Sequence, residues 1–213
     1  MKLNLAIFII AIYFSPYVFS AEPTDFDEIP EFVVKNAGRS HIKQLREGGY
    51  VLYMRHGLTD TSHPDQLNID LNNCATQRPL SEEGIRAVTK IGKSIRTAGI
   101  PIGEVFSSPM CRTKDTALFA FGKNFIVTNQ LMYRPNLKDK DKLQALEITR
   151  ELLSRPLQEK VNRVVIAHSQ NLMHLIGYLP SPEGVVVIFK PLGNMQFEYI
   201  ATVDPDQWKF IQQ

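Results

Sequence analysis

A three-layer α/β/α domain with a mainly parallel central sheet is predicted by two features of this sequence. Three short, continuous apolar runs each lead towards a basic residue: Val51-Leu52-Tyr53-Met54 into Arg55-His56, Val105-Phe106-Ser107-Ser108 shortly before Arg112, and Val164-Val165-Ile166-Ala167 into His168. Parallel strands read this way because helices cover both of their faces. Between the runs lie segments with helical periodicity and capping residues, the alternation that βαβ units require. With 44% apolar and 22% charged residues, the 213-residue chain is long enough for one well-buried domain and short for two.

Residues 1–20 read as a secretory signal peptide. Lys2 supplies the positive start, residues 5–14 form an apolar core, Ser15-Pro16 interrupts it, and Val18-Phe19-Ser20 precedes Ala21. An uncleaved anchor is the competing reading, but a spanning helix needs about 20 apolar residues without such a break. Cleavage after Ser20 would leave residues 21–213 as a single domain with 23 basic and 22 acidic residues. That domain is expected to be secreted or periplasmic, without stable membrane insertion. A net charge of +2, spread along the whole chain, gives no basis for binding nucleic acid or an anionic membrane. Cys74 and Cys111 are the only cysteines, and an even count in an oxidising compartment predicts a disulfide.

The elements follow in order. Residues 22–30 are an acidic, proline-containing lead-in; Ser40 caps a short helix that Gly48-Gly49 stops, and the first strand comes next. Residues 58–79 show no period and many turn formers, so they are expected to form a long functional loop, a lid. Ser81 caps the clearest helix, with Glu82 and Glu83 in its first turn and Ile85, Val88, Ile91 and Ile95 on one face; Gly99 ends it. Pro109 opens a helix to Phe121, and another spans residues 139–154. A strand over 163–167, a helix over 171–178 and strands over 185–190 and 196–203 complete the set.

In an open α/β sheet, ligands gather beyond the carboxyl ends of the strands, so Arg55, His56, Arg112 and His168 are expected to share one crevice. Arginine binds two oxygens of a phosphate dianion at once, which suits Arg55 and Arg112. A neutral imidazole is a nucleophile towards phosphorus, which suits His56. His168 can donate to the equatorial oxygens as charge builds. Each residue alone also fits a structural role; their joint placement after three strands points to phosphoryl chemistry. Other phosphate chemistries fit less well. A Gly-rich turn followed by Lys-Ser/Thr is absent, neither cysteine has the spacing to an arginine that a cysteine phosphatase needs, and His63-Pro64-Asp65 is a poor metal motif.

At these residues the chain resembles the histidine phosphatase superfamily, whose fold is phosphoglycerate mutase-like. The signature "RHGxT" stands as Arg55-His56-Gly57-Leu58-Thr59, "SSPxxRxxxTA" as residues 107–117, the later histidine as His168 in "VVIAHSQNL", and the "PLTxxG" helix start as Pro79 to Gly84. The resemblance covers about residues 50–203, and with the leader it suggests an exported, bacterial-type branch. It implies that His56 is phosphorylated, that Arg55, Arg112 and His168 hold the phosphate, and that neither metal nor organic cofactor takes part. Thr59 and Ser169, beside these residues, are expected at the substrate.

Two departures concern the general acid. Where many relatives carry a glutamate, this chain reads Leu131-Met132-Tyr133-Arg134, and Ser169-Gln170 follows the second histidine in place of Gly-Asn or Asp. Asp60, Asp65 and Glu183 are candidates by reach, with a solvated-surface role as the competing reading. The expected activity is therefore an exported phosphatase acting on a small phosphorylated substrate, a monoester or a phosphoramidate, whose leaving group needs little protonation. The alternatives are a non-catalytic binder of phosphorylated ligands and, less favoured, a phosphoglycerate-type mutase.

Overall fold

The computed structural model of the protein describes residues 31–133, 137–158 and 160–211. The expected leader over 1–20 and lead-in over 22–30 lie outside the described residues. Six α-helices and six strands alternate along the described chain: α1 Arg39–Glu47, β1 Val51–Arg55, α2 Glu82–Thr97, β2 Ile102–Ser107, α3 Cys111–Phe121, β3 Ile126–Val127, α4 Asp139–Ser154, β4 Asn162–Ala167, α5 Ser169–Ile176, β5 Val186–Gly193, β6 Gln196–Val203 and α6 Trp208–Ile211. The strands form one sheet in the order β3-β2-β4-β1-β5-β6, parallel from β3 to β1 and antiparallel at β5 and β6.

Strand alternation sorts the core into two layers, because successive side chains point to opposite faces. In β1, Leu52 and Met54 join Val164, Ile166, Val186 and Ile188 in a cluster covered by α1, α2, α3 and Trp208 of α6. Val51 and Tyr53 face the other way, packing with Val165, Val187 and Phe189 beneath Leu152 and Leu153 of α4 and Leu172 of α5. The expected three-layer fold is thus the observed one. No helix among the described residues is long and apolar enough to cross a membrane.

Several boundaries differ from expectation for local reasons. Helix α1 is capped by Gly38 rather than Ser40, because His41 Nδ1 accepts the Gly38 N–H at 3.0 Å and starts the helix two residues earlier. Helix α5 begins at Ser169 rather than Asn171, since the Asn171 side chain reaches back to the His168 N–H at 3.3 Å, and Gly177, left-handed at φ 73°, ends it. Strands β5 and β6 form a hairpin through Asn194 and Met195, both at positive φ (48° and 61°), the geometry of a type I′ turn. Strand β3 and helix α6 are too short to show a period in sequence.

Helix α2 lies against the chain just after His56. The Ser81 N–H donates to the Leu58 carbonyl at 2.9 Å, and a Cβ on Gly84 would collide with the same carbonyl. Gly84→Ala is therefore expected to push the loop off the helix and cost about 1–3 kcal/mol. The midpoint of urea unfolding measures this, and an unchanged midpoint would show that the loop yields freely.

Candidate active site

Strand pairing places Arg55 beside Ala167 and Ser107 beside Ile166, so the carboxyl ends of β1, β4 and β2 stand side by side. The next residues are His56, His168 and Ser108, and Arg112 lies in the first turn of α3. The backbone holds His56 from both sides: its N–H donates to Ala167 at 3.1 Å, and its carbonyl accepts from Gly184 at 2.8 Å. Beyond it, the Gly57 N–H donates to the Thr116 hydroxyl of α3 at 3.0 Å.

The His56 ring is buried, with Nδ1 3.0 Å from the Gly57 carbonyl. A carbonyl only accepts, so Nδ1 carries the proton and Nε2 keeps its lone pair. Burial drives its pKa well below the usual histidine value; the Arg112 charge adds to this, the bond to Gly57 opposes it, and Arg55 and Arg78 lower it further. The His168 ring stands 5.6 Å from that of His56, centroid to centroid, with Nε2 2.8 Å from the Ser108 hydroxyl. Burial also holds His168 well below the usual value, with Arg112 the next cause. Its main chain is fixed by the Tyr53 hydroxyl, which donates to the His168 carbonyl at 2.6 Å.

Both arginines retain unmet donor capacity. Arg55 Nη1 donates to the Pro180 carbonyl at 3.0 Å and Nη2 to Glu183 at 3.1 Å, while Arg112 Nη1 meets both oxygens of Asp65 at 3.1 and 3.3 Å. The Nε of each is buried with no hydrogen-bond partner among the described residues. Unpartnered buried donors are rare in folded proteins, and these two belong to arginines whose charges act on the histidine pair.

The expected lid is a loop whose ends meet: Thr59 bridges Leu80, and the Asp60 N–H donates to Pro79 at 3.0 Å. Cys74 and Cys111 are disulfide-bonded with Cα atoms 5.7 Å apart, and the Cys111 N–H donates to the Gln77 side chain at 2.8 Å. Asp65 accepts the Arg78 N–H at 2.8 Å as well as the Arg112 guanidinium. The loop is thus fastened to the start of α3 by a covalent bond, a hydrogen bond and an ion pair. Thiol titration of denatured, unreduced protein is expected to find no free thiol. Reduction should then lower stability by about 2–4 kcal/mol, read from the melting temperature.

Thr59 and Ser169 both lie beside the crevice with their polar groups engaged. The Thr59 N–H and hydroxyl donate to Glu183 at 2.8 and 3.0 Å, and the Ser169 hydroxyl meets the Gln170 side chain at 3.2 Å. Of the candidate acids, Asp60 is held to about 2 by hydrogen bonds from the Ser62 hydroxyl, the Ser62 N–H and His63, which leaves it ionised near neutral pH. Asp65 and Glu183 are both engaged by arginines. Where relatives carry a glutamate, Leu131 and Tyr133 are buried, Tyr133 stacking on His174 at 5.1 Å; Arg134 is outside the described residues.

Sequence reasoning passed over Arg78 and Ser108 as site residues. Arg78 lies two residues before Leu80, the partner of Thr59, and reaches Glu183 at 3.7 Å, a position signalled only by its place just before the Pro79-Leu80-Ser81 helix start. Ser108 lies within the recognised motif but carries no charge to draw notice.

Fold and site together define an α/β protein with two histidines and two arginines gathered at its strand ends. A family model described as histidine phosphatase superfamily (branch 1) matches residues 51–170, and the chain belongs to that superfamily. Similar solved structures include YhfR of Bacillus stearothermophilus (15% identity, 71% of this chain and 95% of that one, TM-score 0.53). The protein histidine phosphatase SixA in complex with tungstate is also similar (16% identity, 74% and 98% covered, TM-score 0.51). So is a phosphoserine phosphatase from Entamoeba histolytica (13% identity, 73% and 97% covered, TM-score 0.50). At these identities the likeness is one of fold. No curated protein matches the sequence.

Proposed function

We propose that this protein is a metal-independent phosphatase that acts through a phosphohistidine on His56. The observation that carries the reading is the His56 Nδ1 bond to the Gly57 carbonyl, which leaves Nε2 as the nucleophilic nitrogen in a crevice with Arg55 and Arg112. Nε2 attacks phosphorus and displaces the leaving oxygen; water then attacks the phosphohistidine and releases phosphate. Arg55 and Arg112 bind the equatorial oxygens, and His168 donates to them with the Ser108 hydroxyl setting its ring. Thr59 and Ser169 form the near wall.

The substrate is a small phosphorylated molecule. Because Asp65 and Glu183 are both held by arginines, a good leaving group, such as an acidic alcohol or the nitrogen of a phosphoramidate, suits the site best. The Cys74–Cys111 bond and the leader-like residues 1–20 support an exported protein. The test is phosphate release from a panel of monoesters and phosphoramidates by wild type and His56→Ala, with and without EDTA. Activity that survives chelation and disappears in the variant is the expected result. Chelation-sensitive turnover would overturn metal independence. Silence across the panel with a ligand-induced rise in melting temperature would favour a non-catalytic binder, the reading that the engaged carboxylates also fit.

A further inference from the structure

We propose that Glu183 is the positioning residue of this site, a carboxylate that sets the nucleophile loop and balances the charge that develops on the His56 ring. The proposal rests on the phosphohistidine reading above. Glu183 lies in the turn before β5, with its side chain 11% exposed. One oxygen stands 3.1 Å from Arg55 Nη2, 3.7 Å from Arg78 Nη2 and 3.9 Å from His56 Nδ1. The other accepts the Thr59 N–H at 2.8 Å and the Thr59 hydroxyl at 3.0 Å. One carboxylate thus grips the chain on both sides of the nucleophile and also the last residues of the lid.

Its own backbone is registered on the same loop. The Gly184 N–H donates to the His56 carbonyl at 2.8 Å, and the Arg55 N–H donates to Val185 at 3.1 Å. Glu183 therefore cannot shift without moving the residues it orients. With Nη1 on Pro180 and Nη2 on Glu183, the Arg55 fork has one orientation, the one that leaves its Nε without a partner.

The chemistry gives the charge a purpose. When Nε2 forms its bond to phosphorus, the bond from phosphorus to the leaving oxygen breaks, and that oxygen takes a proton from solvent. Nδ1 keeps its proton throughout, so the ring becomes an N-phosphoimidazolium cation. Water then attacks phosphorus and the N–P bond breaks. Phosphate leaves, the water proton passes to solvent, and the ring returns to neutral. The cation forms in a buried place near three guanidinium groups, each of which opposes it. Among the described residues, Glu183 is the carboxylate paired with this ring, and it stands on the proton-bearing side.

The test is single-turnover phosphorylation by p-nitrophenyl phosphate, followed as phosphohistidine by ³¹P NMR, in wild type, Glu183→Gln, Glu183→Asp and His56→Ala. Binding of inorganic phosphate is measured by calorimetry on the same proteins. Glu183→Gln keeps the shape and removes the charge; it is expected to slow phosphorylation at least tenfold, with phosphate affinity changed less than threefold. Glu183→Asp should recover part of the rate. Wild-type phosphorylation in Glu183→Gln would overturn the proposal, as would loss of phosphate affinity in parallel with rate. Should Glu183→Gln fail to fold, a folded Glu183→Asp with the full wild-type rate would overturn it, since shortening the side chain breaks the Thr59 and Arg55 contacts together. Failure of wild type to form a phosphohistidine that His56→Ala abolishes would instead remove the underlying phosphatase reading.

Discussion

His56→Ala is expected to lower phosphate release by about 10³-fold or more, because the variant loses the only step that forms the covalent intermediate. Binding of inorganic phosphate should survive, since Arg55 and Arg112 are fastened by Glu183, Pro180 and Asp65 rather than by the histidine. Steady-state release assays paired with phosphate calorimetry separate the two effects. Residual turnover within tenfold of wild type would disqualify His56 as the nucleophile. The wild-type pH profile carries a related signature. Burial and the Arg112 charge hold His56 well below its ordinary value, so the nucleophile stays neutral, and the acid limb of kcat/KM should fall well below pH 6.5.

The same shifts set the sign of the stability profile. His56 and His168 both titrate well below 6.5 when folded, whereas the unfolded chain titrates near about 6.5. Below that value the unfolded state binds more protons, so their contribution, complete above about pH 6.5, is lost as pH falls.

Arg112→Ala carries the second-largest expected effect, a loss of about 10²–10³-fold in kcat/KM. The guanidinium is buried in the first turn of α3, and its immobility comes from the Cys74–Cys111 bond one residue earlier together with the Asp65 ion pair. Truncation removes a planar donor from the oxyanion and leaves Asp65 with the Arg78 N–H as its hydrogen bond among the described residues. Arg112→Lys should recover little, because an ammonium cannot present two parallel donors. Kinetics on the best substrate of the panel decide the matter, and recovery by lysine to within threefold of wild type would show that charge alone suffices.

Much of this arrangement is legible in the chain. The three apolar runs identify β1, β2 and β4 because strands covered on both faces carry uninterrupted hydrophobic residues, and the basic residues after them mark the crevice. Ser81 with Glu82 and Glu83 announces α2, since side-chain caps and helix dipoles act within one turn. What local pattern could not show is where side chains from distant segments meet. By sequence Glu183 is only a candidate acid by reach, with a solvated surface as the competing role, yet the β1–β5 pairing sets it beside Arg55 and Thr59, more than a hundred residues away in sequence.

By itself the sequence determined the layered fold, the histidine and arginine residues at the strand ends, and the candidate cysteine pair, because periodicity, capping and residue chemistry are local properties. Only the tertiary structure decided which nitrogen of His56 bears its proton, which carboxylates the arginines hold, and that Arg78 reaches Glu183. Those depend on distances between groups that the sheet order and the loop bring together, and sequence separation does not encode them.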